Sequence, residues 1–344
     1  AVWVQAGQHN RIMASFRPHG GRFGAPVEIG RTSVFASARP QIAVAERGAA
    51  TIAWNGANAI DVVRRPRGPC AAGRPRGCFG AAQRFSAGAD QAVAISPGGR
   101  GFLVWAANAR EGGEVHTRLR IAVAQPGHPY GHSQAITTTG DASQPTIAVL
   151  SGQSAVVAWR GSLPAGGEQN SDATILAAER DADGTISAPQ AVSAFPGSDP
   201  QLGTNEQGEA ILAWNQRNST PQNPDGGEVA AAVRAPSAQL FSAPTTISAP
   251  DIYASAASLA VDTSGAATLV FTAAAGISTP SASGGPANGP VVLSYYHPSG
   301  DPGFVFSQRL PDGFMDARVL ATGQDVSIIS GGDGDRTLVS DPAY

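Results

Sequence analysis

Six positions recur at one offset, three residues before an apolar position that itself recurs along the chain: Arg39, Asp90, Gln144, Asp199, Ala256 and Asp316. Three carboxylates, a guanidinium and an amide at equivalent places can bind a cation, an amine or a sugar. Two carboxylates about 5–10 Å apart can also divide acid and base work in glycoside cleavage. Asp90, Asp199 and Asp316 are therefore the catalytic candidates, and Arg39 and Gln144 the accompanying binding candidates. The competing role is turn chemistry, because Asp before a strand commonly sits in a solvated turn. A second set follows Gly-Gly pairs, whose positive φ suits tight turns. It comprises Glu114, Glu168 and Glu228, with Asp333 and Asp335 near the C-terminal end. These acids can act as oxygen ligands, and Asp333 and Asp335 are the candidates for Ca2+. A solvated hairpin explains the same spacing.

The elements that must place these residues announce themselves through tryptophan. Trp3, Trp54, Trp105, Trp159 and Trp214 each close an apolar phrase, AVW, TIAW, FLVW, VVAW or ILAW, at spacings of 51, 51, 54 and 55. A sixth copy ends in Phe271 and a worn seventh in Ser330. A period of this length built from short strands is the mark of a propeller-type array. Ile42, Val93, Ile147, Leu202 and Leu259 each lie twelve residues before the ladder aromatic. Each repeat reads as four strands rich in Val, Ile, Ala and Thr, bounded by Gly, Pro, Asp and Ser. No segment sustains a helical period. The fourth strand is expected to begin at an aromatic or apolar residue: Phe23, Phe79, Tyr130, Ile186, Phe241 or Phe304.

Counting strand types predicts an all-β, seven-bladed β-propeller with 26 strands and four-stranded antiparallel blades. The terminal blades carry three strands each in this sequence. The expected blades are 1–30, 31–86, 87–138, 139–193, 194–248, 249–313 and 314–344 of one domain. The missing strands would lie upstream of Ala1. The indoles should fill the wedges between blades, since one Trp can bury about 200 Å2. A sugar-stacking ladder is disfavoured because the surrounding phrases are apolar. Loops entering the first strand and leaving the Trp strand should share one face, the axial mouth. Those loops are longest in blades four to six, which singles out Arg160, Asn215, Arg217 and Tyr253 as neighbours of an asymmetric site.

Composition narrows the partners. The net charge is −3, and all 23 basic residues are Arg, so the footprint of a nucleic-acid binder is missing. No apolar run reaches the length of a membrane span. Cys70 and Cys78 are the two cysteines. They are too few for a four-ligand zinc site and suit a local disulfide worth roughly 2–3 kcal/mol. Such a bond points to an oxidising, secreted or cell-surface location. His128 and His132 flank a turn expected on the opposite face, and no metal-binding His spacing, nucleophile elbow or P-loop occurs.

The blade pattern resembles secreted bacterial seven-bladed propellers of the sialidase-like and BNR-like kind, and lectin-like propellers equally. The stretches nearest to the sialidase Asp-box are Val261 to Gly265 and Thr204 to Gly208, both with altered spacing. The arginine triad and Tyr/Glu pair of sialidases have no counterpart in these motifs. The resemblance implies the fold and secretion. The function expected is recognition of a glycan or surface protein at the mouth by a binding propeller. The alternative is a carbohydrate-active enzyme, a glycoside hydrolase or polysaccharide lyase.

Overall fold

The computed structural model describes the chain apart from residues 18–20, 35–37, 46, 57–58, 69–77, 151–152, 163–172, 206, 220, 222–225, 250–251, 263, 276–290, 299–302, 310–316, 323–324, 332–335 and 342–344. The described residues form 26 strands, the number the repeat count requires, in seven antiparallel sheets. The first blade holds β1 (Val2–Gln5), β2 (Asn10–Ala14) and β3 (Val27–Thr32). The second holds β4 (Gln41–Val44), β5 (Ala50–Asn55), β6 (Ile60–Arg65) and β7 (Gln83–Phe85). The third holds β8 (Gly88–Ile95), β9 (Gly101–Glu111), β10 (Glu114–Ala124) and β11 (Gln134–Ala135). The fourth holds β12 (Ala142–Val149), β13 (Ala155–Gly161), β14 (Thr174–Arg180) and β15 (Gln190–Ala191). The fifth holds β16 (Gly197–Thr204), β17 (Ala210–Arg217), β18 (Gly227–Arg234) and β19 (Thr245–Thr246). The sixth holds β20 (Ile252–Val261), β21 (Ala267–Ala275), β22 (Val291–His297) and β23 (Val305–Arg309). The seventh holds β24 (Arg318–Thr322), β25 (Asp325–Gly331) and β26 (Arg336–Asp341). Five blades are four-stranded, and the first and last are three-stranded. This all-β array of antiparallel sheets is the β-propeller architecture expected, with three-stranded first and last sheets.

Contacts divide the chain into two compact units, Ala1–Val149 and Leu150–Tyr344, with the boundary inside the fourth blade. Within each unit the apolar clusters are shared by neighbouring blades. In the first unit, Ile12 and Ile29 of blade one meet Ile52 and Trp54 of blade two. Ile60 and Val62 of blade two meet Leu103 and Trp105 of blade three. In the second unit, Val156 and Ile175 of blade four meet Leu212 and Trp214 of blade five. Ala213 and Val229 of blade five meet Leu269 and Phe271 of blade six. Trp54, Trp105, Trp159, Trp214 and Phe271 are at most 1% exposed, as fillers of the wedges must be. Trp3 is only half-buried, because β1 is an edge strand with no neighbour on its outer side within its sheet. Close approach of the ring also dictates Gly30, where a Cβ would stand 2.3 Å from Trp54 Cζ2.

The fourth strands depart from expectation. Apart from β3 and β23 they hold only two or three residues, and they begin about four residues after the expected start. Tyr130 and Ile186 make isolated bridges to Ala124 and Arg180 instead, and Phe23 is 56% exposed. Pro189 and Pro244 immediately precede β15 and β19. A proline supplies no N–H to the ladder and belongs at a strand start or edge. A glutamine replaces the lost pairing. Gln190 Nε2 donates to Phe241 O at 3.0 Å, and Phe241 N donates to Gln190 Oε1 at 2.8 Å. Gln83 clamps Tyr130 of the next blade in the same way. The turn read as Asp-box-like is closed by Asp262, whose Oδ1 accepts from Ser264 N and Oγ and from Ala266 N.

Candidate functional site

Strand pairing places the loops that enter the first strands beside the ends of the Trp strands, as the repeat demands. Asn55 N donates to Ala38 O, Gly88 pairs with Ala107, and Gly197 pairs with Gln216. At this end the first strands bulge. In blade three the register jumps from Ala89–Ala106 to Ala92–Val104, so Asp90 and Gln91 together face Trp105. In blade five Asp199 and Pro200 face Trp214, and in blade six Ala256 and Ala257 face Phe271. An extra residue bends a strand and re-aims the side chains around it, and such bulges collect at functional sites.

The recurring offset seen in the sequence is the bulge position in blades three, five and six. Arg39, Asp90, Gln144 and Asp199 take φ of 37°, 49°, 51° and 51°, a left-handed conformation that L-residues rarely adopt. It costs roughly 1–2 kcal/mol per residue for a side chain with a Cβ. Each of Arg39, Gln144 and Asp199 is followed by a proline, which has no N–H to leave unpaired at the bulge. In blade three Gln91 stands in that place. It is buried, and its Nε2 donates to Arg39 O at 2.6 Å and Ala38 O at 3.3 Å.

In the first unit these positions are tied to one another. Asp90 Oδ2 accepts from Gln144 N at 3.2 Å, and Asp90 Oδ1 lies 4.0 Å from Arg39 Nη1. Arg39 is exposed. Glu114 is exposed at the start of β10, 3.8 Å from His116 Nε2, and His116 Nδ1 is 3.5 Å from Asp141 Oδ1.

The second unit carries its own set. Asn215 connects two first strands: its Nδ2 donates to Asp199 Oδ2 at 3.4 Å, and its Oδ1 accepts from Ala257 N at 3.3 Å. Arg160 Nε donates to Gly197 O at 3.2 Å. Glu228 is 4% exposed and accepts from Gln216 Nε2 at 2.8 Å and Asn218 Nδ2 at 3.4 Å. Tyr253 packs against the start of β18, where a Cβ at Gly227 would stand 2.4 Å from its ring. Arg217 is exposed.

Asp316, Glu168, Asp333, Asp335 and Cys70 lie outside the described residues. Among the described residues no cysteine is free, and no group of His, Cys, Asp and Glu is arranged to hold a metal ion. Sequence reasoning missed Gln91, Gln216 and Asn218, the amides that hold the backbone and the buried carboxylate. Their signal was faint: a glutamine where other blades have proline, and amides two and four residues past a ladder tryptophan.

No known family pattern matches the sequence, and no curated protein matches it. Solved structures do match in shape. A polysaccharide lyase, Uly1, superposes with a TM-score of 0.56 at 10% identity, over 98% of this chain and 86% of that one. A protein of unknown function from Dyadobacter fermentans DSM 18053 gives 0.50 at 12% identity, over 78% and 81%. An α-L-arabinofuranosidase from Fusarium graminearum, in complex with an iminosugar inhibitor, gives 0.50 at 9% identity, over 88% and 91%. At these identities the likeness is one of fold. Among the described residues no helix is long and apolar enough to cross a membrane.

Proposed function

We propose that the protein binds carbohydrate beside the bulges of its first strands. The observation that carries this reading is the left-handed backbone of Arg39, Asp90, Gln144 and Asp199 at one repeated register. Glycine would fit there without strain, yet the chain spends roughly 1–2 kcal/mol per position to present a charged or amide side chain. Strain of this kind persists at ligand sites. Guanidinium, carboxylate, amide and phenol groups suit a polyhydroxylated ligand, which offers both donors and acceptors. Arg160, Arg217, Tyr253, Glu114 and Glu228 are the supporting contacts proposed.

A second reading, a glycoside hydrolase or polysaccharide lyase, draws support from the fold likeness to a lyase and an arabinofuranosidase. Binding is preferred because Asp90 and Glu228 are each tied by hydrogen bonds to neighbouring amide groups, which suits positioning more than proton transfer. The proposal includes a secreted or cell-surface location, a Cys70–Cys78 disulfide and Ca2+ at Asp333 and Asp335. Mass spectrometry with and without reductant tests the first bond. Calorimetry with Ca2+, before and after Asp333→Asn, tests the ion. The functional test is a polysaccharide panel scored for retention and for new reducing or unsaturated ends. Retention of an intact glycan, weakened by Asp90→Asn or Asp199→Asn, is expected. Release of product abolished by the same changes would establish the enzyme reading instead.

A further inference from the structure

A cavity opens in the first unit whose walls include none of the bulge residues. It has a volume of about 510 Å3, within the range of small-molecule sites, and Asn108, Glu111, Arg118, Arg120, Ser133 and Thr137 are among its walls. The pairing of β9 with β10 sets Arg118 opposite Ala107 and Arg120 opposite Trp105, so all four share one face of the sheet. That is the face whose Trp105 packs against blade two. Ser86, also in the wall, accepts from Trp105 Nε1 at 3.3 Å. The cavity therefore lies on the blade-two side of the third sheet, beside a ladder tryptophan.

The two arginines differ in a way that defines the ligand. Arg118 is neutralised: Nη2 lies 2.8 Å from Glu111 Oε2, and Nη1 lies 3.5 Å from Asp141 Oδ1 and donates to Gly140 O at 2.6 Å. Arg120 is not. Its Nε donates to Ser133 Oγ at 2.9 Å and its Nη2 to Ser133 O at 3.1 Å, which fixes the plane of the guanidinium. Among the described residues no carboxylate pairs with it, and its Nη1 has no protein partner. A held but unneutralised guanidinium in a cavity is a seat for an anion, and the planar fork favours carboxylate. The remaining wall offers an amide, hydroxyls, the exposed carboxylate of Glu111, and small apolar faces at Ala107, Ala109 and Ala135. That mixture matches the hydroxyls and C–H face of a sugar ring.

We infer that this cavity binds a sugar acid, with the ligand carboxylate on Arg120 and the ring hydroxyls on the Asn108, Glu111 and Thr137 side. The site shares no wall residue with the bulge set and does not rest on the carbohydrate reading made there. The test is a titration of the whole protein, followed by NMR, with D-glucuronate, D-glucose and acetate. Glucuronate binds saturably, and glucose and acetate bind at least about tenfold more weakly. Arg120→Gln weakens glucuronate at least about tenfold, while Arg120→Lys, which keeps charge but not the fork, loses less. Ser133→Ala also weakens it by freeing the guanidinium plane, and decides the matter if Arg120→Gln unfolds. Asp90→Asn and Asp199→Asn leave it unchanged, so failure of the bulge-face proposal reads out separately. Glucose or acetate binding as tightly as glucuronate, or no saturable glucuronate binding, overturns the assignment.

Discussion

Replacing Asp90 separates strain from function. Its left-handed φ of 49° charges any residue with a Cβ roughly 1–2 kcal/mol. Asp90→Gly removes that cost but returns about 0.5–1 kcal/mol through the freedom glycine gains when unfolded. It also loses the 3.2 Å bond from Gln144 N, worth about 1 kcal/mol. The ion pair to Arg39 at 4.0 Å adds little, because the Arg39 side chain is 73% exposed. The net change for glycine is therefore within about 1 kcal/mol of zero. Asp90→Ala loses the same bond and keeps the strain, so it should be less stable than Asp90→Gly by roughly 0.5–1 kcal/mol. Urea denaturation of the three proteins measures this directly. Both variants should lose glycan affinity to similar extents although their stabilities differ. If Asp90→Ala proves as stable as Asp90→Gly or more so, the left-handed bulge is not strained and the argument for a functional cause falls.

Other expectations follow from the packing. Tyr130 is buried with its hydroxyl 2.8 Å from Thr51 Oγ1, and burial pushes its pKa up to about 12. Because the folded state holds this proton more tightly than the unfolded chain, its stabilising effect is complete below about pH 10 and lost as pH rises towards 12. The loss is of order 3 kcal/mol, and urea midpoints between pH 8 and 12 should show it in the native protein but not in Tyr130→Phe. Gly30→Ala forces a methyl against the Trp54 indole and should cost about 1–3 kcal/mol, with a red shift of tryptophan emission. Gln190→Ala strands the N–H and C=O of Phe241, itself 7% exposed, and should cost about 1–3 kcal/mol. A loss below about 0.5 kcal/mol in denaturation would mean that solvent replaces the clamp.

The ladder made the fold legible, because a wedge between sheets needs a large apolar filler at a fixed angular step and tryptophan shows its spacing plainly. The same regularity located Arg39, Asp90, Gln144 and Asp199 at equivalent places. It could not show that Asp90 and Asp199 sit in bulges. A bulge is a property of two strands read together, and no single strand records that two residues face one tryptophan. The fourth strands were read as too long for a related reason. An aromatic followed by an apolar residue six later looks like a continuous strand, whereas Pro189 and Pro244 interrupt the ladder and Gln190 takes over the pairing. The cavity at Arg120 was invisible in sequence because its walls come from β9, β10, β11 and the loops around them, polar residues and alanines alike.

The most direct measurement is affinity for a polysaccharide panel by the native protein and by Asp90→Asn and Asp199→Asn, with the bound glycan recovered and weighed. The account predicts that a glycan is retained at unchanged mass and that each variant binds it at least about tenfold more weakly, about 1.4 kcal/mol. Retention unaffected by either substitution, or no retention of any glycan, would contradict it.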